Sequence, residues 1–267
     1  MSLMRIEDYP PQAPRAEASA EYHRIVTGLC AGVEGIDAAY GDDVYQHVAL
    51  FVPENPDGRV LAYMHGGRWS YGYKEYAAFM APPLNDAGII LASIGHRLVP
   101  SVDFTGGFSD VNAGIGWVRD NVARYGGDPE KLFVSGHSSG GHYAAMYALV
   151  TGGVRGAATI SGVYDLSASG YPADNSPPCL PAGSDGRSES PQYNIVGTPP
   201  PFHITWGSDD YDFLIPQAGV FADALEAAGG DVDRLECAGK THFSVSHDSA
   251  AAGGEWMKAV LDWMGRH

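Results

Sequence analysis

The chain has 267 residues, 45% of them hydrophobic, with 32 Asp+Glu against 16 Lys+Arg and a formal net charge of −16. This length can bury the core of one domain over residues 1–267, and the acidic field argues against nucleic acid or an anionic membrane surface as a partner. Three widely spaced cysteines, Cys30, Cys179 and Cys237, fit a reducing, cytoplasmic setting and give no zinc or redox motif.

In chain order, residues 1–20 are polar and proline-marked. They lack the apolar h-region of a signal peptide, and no run is long enough to span a bilayer, so no membrane association is expected. Residues 46–52 alternate weakly and read as a strand, and the apolar runs 60–64 and 89–94 read as buried strands. Between them, 73–87 reads as a helix interrupted by Pro82 and Pro83. Phe108, Val111, Ile115, Val118 and Val122 recur at helical spacing, and Tyr125-Gly126-Gly127 stops that helix. A strand over 132–134, a helix over 144–149 and a strand over 157–160 follow. Residues 165–201 are rich in Pro, Gly, Ser and Asp and are expected to form a short cap over the site. The chain ends with a strand (202–206), a helix (217–228), a strand (234–237) and a helix (255–264). This alternation predicts an α/β fold with a mostly parallel central sheet and helices on both faces.

Within this pattern, Gly136-His137-Ser138-Ser139-Gly140 sits between a strand and a helix. A G-x-S-x-G sequence in that setting is a nucleophile elbow, whose tight turn pushes the Ser138 hydroxyl outward. A serine hydroxyl is a weak nucleophile at neutral pH and needs a base, itself oriented by an acid. In this fold the chain order is Ser, acid, His. Gly207-Ser208-Asp209-Asp210-Tyr211-Asp212 follows a strand. Asp210 leaves room for the turn and is the favoured acid, with Asp209 second and Asp212 third. His242, in a loop past the last strand and before the last helix, is the favoured base, with His247 as runner-up.

Negative charge on a tetrahedral intermediate needs preorganised N–H donors. His65-Gly66-Gly67-Arg68-Trp69 follows the strand 60–64, so an amide of Gly66 or Gly67, with that of Ser139, is the expected oxyanion hole. Arg68, Trp69 and His137 are the candidate substrate-binding residues, Trp69 as wall packing, and His65 is expected to orient its loop. The spacing of His65, His96, His137 and His142 matches no zinc pattern, so neither metal nor cofactor is expected. Gly239-Lys240-Thr241 is no phosphate loop, because Arg234 stands where that motif needs glycine.

Together, His65-Gly66-Gly67-x-Trp69, Gly95-His96-Arg97-Leu98-Val99-Pro100, Gly127-Asp128-Pro129, the elbow, Ser161-Gly162-Val163-Tyr164-Asp165-Leu166 and Thr241-His242-Phe243 resemble the α/β-hydrolase esterase/lipase group. Within it they look most like the kynurenine formamidase (arylformamidase) branch. The resemblance implies a serine hydrolase that acts on a small-molecule formamide through Ser138, Asp210 and His242, with a carboxylesterase as the alternative. The expected partners are the small-molecule substrate and, apart from the resemblance, a second copy of the chain in a homodimer. That branch usually has an aromatic residue where this chain has Arg68, which is expected to attract a substrate carboxylate.

Overall fold

The computed structural model of the chain describes residues 2–172 and 176–267. Eight strands form one sheet: β1 (Ile36–Ala39), β2 (His47–Phe51), β3 (Val60–Met64), β4 (Ile90–Ile94), β5 (Leu132–His137), β6 (Gly156–Ile160), β7 (Phe202–Asp209) and β8 (Val232–Thr241). Their order is β1-β2-β4-β3-β5-β6-β7-β8. β2 pairs antiparallel with both β1 and β4, and every pairing from β4 through β3 to β8 is parallel.

Period-two alternation sends the two halves of each strand to opposite layers. Val60, Ala62 and Met64 of β3 face one core, which they share with α3 (Phe104–Asn121), α4 (Ser139–Met146) and α5 (Leu214–Ala227). Leu61 and Tyr63 face the other, packed by α1 (Glu17–Leu29), α2 (Ala81–Asp86) and α7 (Glu255–Arg266). Both faces of β3 and β4 are fully buried, which is why those strands read as continuous apolar runs. Among the described residues no helix is long and apolar enough to cross a membrane.

Several expected elements differ in detail. The helix expected over 73–87 is a 3-10 turn, Lys74–Met80, followed by α2. Pro82 and Pro83 do not interrupt α2. They sit in its first turn, where the missing N–H groups have no intrahelical partner to lose. β7 and β8 run to 209 and 241, past their apolar stretches, because each pairs with the other and β8 needs only one buried face. β1, α1 and the short α6 (Ser244–His247) had no sequence expectation.

Candidate active site

β5 runs into α4 through Ser138, which has φ 55° and ψ −119°. A non-glycine residue at positive φ is strained, and neighbouring chain holds it there. Its N–H donates to the Ile160 carbonyl (2.9 Å), and its carbonyl accepts from His142 N (3.0 Å). Glycine at 136 and 140 is required by close approach. A Cβ on Gly140 would lie 2.0 Å from the Met64 carbonyl oxygen, and one on Gly136 would lie 2.4 Å from the Gly140 carbonyl.

Three residues from separate parts of the chain meet at this elbow. Ser138 Oγ lies 2.9 Å from His242 Nε2, and His242 Nδ1 lies 2.7 Å from Asp210 Oδ1. An ionised carboxylate only accepts, so Nδ1 carries the hydrogen and Nε2 is left as the acceptor for the serine hydroxyl. Asp210, of the three aspartates considered, is the one in contact. A bulge between Gly207 and Asp209 shifts the β7–β8 register before the last pair, Asp209 with Thr241, and a turn closed by Asp210 N to Gly207 O follows it and places the Asp210 carboxylate against His242. His247 pairs instead with Asp248 (2.7 Å).

Burial raises the proton affinity of the Asp210 carboxyl. The hydrogen bond and charge of His242, the Ser161 hydroxyl on Oδ2 and the Tyr211 amide outweigh it and hold the group below the usual carboxylate range. Ser161, at the end of β6 with φ 47°, was given no role from sequence. Its position one residue past a central strand was the available signal. His137 donates Nε2–H to the His242 carbonyl (2.8 Å) and so fixes the loop that carries the imidazole. Burial, then the nearby His242, lowers the His137 pKa to about 3, which keeps its ring neutral.

The loop after β3 packs directly on the elbow. A Cβ on Gly66 would lie 2.8 Å from the His137 carbonyl and 3.2 Å from Ser138 Cβ. His65 donates Nδ1–H to the Gly66 carbonyl (2.9 Å). In a trans peptide the Gly67 N–H therefore points away from the His65 ring. Gly67, Arg68 and Trp69 follow at φ 134°, 52° and 58°, and this curl is held by Trp69 N to Ser139 Oγ (3.3 Å) and Val99 N to Trp69 O (2.8 Å). The Trp69 indole donates to His142 Nδ1 (3.3 Å), while His142 Nε2–H donates to the Glu189 carbonyl (2.6 Å). Burial lowers the His142 pKa to about 4, consistent with that neutral tautomer. Ser139 opens α4, so its N–H is one of the donors a helix start leaves unpaired.

A cavity of about 250 Å³ opens over Ser138 and His242. Gly66, Gly67, Arg68, Trp69 and His137 line it, so the candidate binding residues share one space with the nucleophile. Much of the rest is aromatic: Tyr71, Tyr76, Tyr211 and Phe213. From the 165–201 excursion, Tyr171 lines the cavity, and Arg68 donates to the Ser176 carbonyl (3.1 Å). Residues 173–175 of that excursion lie outside the described residues. The N-terminal segment adds Arg15, Ala16, Ser19 and Tyr22, a wall the sequence did not reveal. Among the described residues, no group of three or more His, Cys, Asp or Glu is arranged to hold a metal.

Comparison with known proteins fits this geometry. The BD-FAE family model matches residues 48–164, from β2 through the elbow to the end of β6. A probable isoprenylcysteine alpha-carbonyl methylesterase of Arabidopsis thaliana is 26% identical over 80% of this chain and 52% of its own length. A kynurenine formamidase of Danio rerio is 26% identical over 87% of this chain and 85% of its own. The chain spans 52–61% of the length of four plant methylesterases it matches. The structure of a thermophilic esterase from Thermogutta terrifontis superposes with a TM-score of 0.75 at 20% identity, covering 89% of this chain and 93% of that one. With the elbow, the sheet order and these likenesses in agreement, the chain has the α/β-hydrolase fold and is similar in sequence to esterases and formamidases.

Proposed function

We propose that the protein is a serine hydrolase that cleaves a small aromatic formamide or ester through an acyl-enzyme. The observation that carries this reading is the hydrogen-bonded line Ser138–His242–Asp210, with 2.9 Å and 2.7 Å contacts, at the floor of an aromatic cavity. His242 Nε2 takes the Ser138 proton as Oγ attacks the carbonyl carbon. The oxyanion rests on main-chain amides of Gly66 or Gly67 and Ser139, where losing one donor costs about 100- to 1000-fold in rate. His242 then gives its proton to the leaving amine or alcohol. A water, deprotonated by the same nitrogen, releases the acid and restores Ser138. Asp210 keeps the imidazole in register and stabilises its cation. Arg68, Trp69 and His137 contribute to the substrate wall.

The first reading is an arylformamidase-like enzyme. The formamidase relative matches along 85% of its own length, and the aromatic lining of the cavity suits an aryl group. The second is a carboxylesterase for small acyl esters, favoured by the esterase whose fold this chain shares and by the methylesterase relatives. Fluorophosphonate labelling of the wild type, lost in Ser138→Ala, is the expected sign of the nucleophile. An unlabelled wild type would overturn the hydrolase reading. Turnover of N-formylkynurenine beside p-nitrophenyl acetate separates the two substrate classes.

A further inference from the structure

The chain carries a net charge of −16, yet the described residues lining the catalytic cavity include two arginines and no carboxylate in direct contact with the space. Arg15 is the unexpected one, because it comes from the N-terminal segment just before α1. Six other arginines (Arg5, Arg24, Arg59, Arg97, Arg234 and Arg266) have a carboxylate partner. Arg15 forms no ion pair among the described residues. Its Nη2 donates to Gln12 Oε1 (2.7 Å), its guanidinium lies over Tyr71 (5.3 Å) and Tyr73 (5.7 Å), and its Nε is buried with no acceptor.

The guanidinium is also held in place. The Gln12 side chain grips both main-chain groups of Gly72: Nε2 donates to the Gly72 carbonyl (2.8 Å), and Oε1 accepts the Gly72 N–H (3.0 Å). The same Oε1 takes Arg15 Nη2, so the cation is tied to the end of the loop that holds Gly66 and Gly67. Ser19 Oγ and the Tyr71 hydroxyl add a second tie at 2.9 Å. A planar fork of donors, fixed against aromatic rings and left without an anion, matches the geometry of a carboxylate.

We propose that Arg15 is the anion-recognising residue of the cavity and that the substrate carries a carboxylate. The assignment deepens the hydrolase reading, on which its link to turnover rests, but binding can be measured apart from chemistry. The Ser138→Ala protein is titrated by calorimetry with 3-phenylpropionate and with its neutral isostere, 3-phenylpropanamide. The acid should bind about tenfold or more tighter, the size of one charge-assisted hydrogen bond. Adding Arg15→Gln should bring the acid down to the affinity of the amide. Arg15→Lys, which keeps the charge and loses the fork, should fall between. Equal behaviour of acid and amide in the parent, whether both bind or neither does, overturns the proposal, as does an Arg15→Gln loss shared equally by both ligands. Fluorophosphonate labelling of the wild type, run in parallel, keeps the two failures apart. A labelled protein without acid preference sinks only the Arg15 assignment, and an unlabelled one with acid preference sinks only the hydrolase reading.

Discussion

Asp210 shows how little of a side chain's role lies in its identity. Asp209 precedes it in sequence and is exposed at the end of β7, whereas Asp210 is buried and touches His242, Ser161 and the Tyr211 amide. Asp210→Asn should therefore lower kcat by about 10⁴-fold, because an amide in that place favours the wrong imidazole tautomer. Asp209→Asn should stay close to wild type, and steady-state kinetics on both variants checks the contrast. Equal losses would move the acid role away from Asp210. Ser161→Ala removes one donor from the carboxylate and leaves the other two. A drop of about tenfold in kcat at unchanged KM is expected, and an unchanged kcat would show that Oδ2 needs no partner. Ser138 and His242 were legible from motif and chain order. The choice among 209, 210 and 212 rested on turn length alone, and the bulge at 207–209 that settles the contact leaves no mark in composition. Ser161 was not legible, because its role depends on β6 lying beside β7.

At the scale of elements, the sequence spoke clearly where strands are buried on both faces and weakly at the edges. β3 and β4 are apolar runs bounded by turns, and their ends fall within a residue of where those runs end, while β5 continues three residues past its apolar run to His137. α1 begins at Glu17 after Ala16, which caps it with no side chain, and its buried face, Ser19, Tyr22 and Val26, has helical spacing but only two hydrophobic residues, so the sequence marks it weakly. What fixes the N-terminal segment is a polar cluster far away in sequence. Lys74 is fully buried, with Nζ 2.9 Å from Asp37 Oδ2, 2.5 Å from Glu75 Oε1 and 2.7 Å from the Tyr9 hydroxyl. Asp37 also accepts from Met4 N (3.0 Å), and Tyr9 donates to Glu75. Lys74→Met leaves two carboxylates buried without their cation and should destabilise the fold by about 3–5 kcal/mol. Because residues 15–22 wall the cavity, release of this segment should also speed proteolysis near α1 and reduce activity on carboxylated more than on neutral esters. Chemical denaturation and limited proteolysis read both effects. A Lys74→Met protein as stable as the wild type would mean that the cluster anchors nothing.

For the whole molecule, acid sensitivity follows from how many imidazoles the fold buries in neutral form. Burial lowers the pKa of His137 to about 3 and those of His142 and His203 to about 4, and each ring is at most 2% exposed. In the unfolded chain each titrates near 6.5. Above that value neither state binds the proton and the groups contribute no pH dependence. Below it the unfolded chain takes protons that the folded one refuses, so stability falls as pH drops. The loss is about 1.4 kcal/mol per pH unit for each ring. It continues until the folded-state values are reached, near pH 4 for His142 and His203 and near pH 3 for His137. Urea unfolding at steps from pH 7 to pH 4.5 should show this decline beginning near pH 6.5, before most carboxylates titrate. His203 is the ring to test, since it packs on Trp263, lies outside the cavity, and among the described residues its ring bonds to Thr205 (3.1 Å). His203→Gln should flatten the slope by the share of one group while leaving fluorophosphonate labelling of Ser138 intact at pH 7. An unchanged slope would mean that His203 picks up its proton in the folded protein as readily as in the unfolded chain, and the acid response would then have to come from the other buried histidines, His65, His96, His137 and His142.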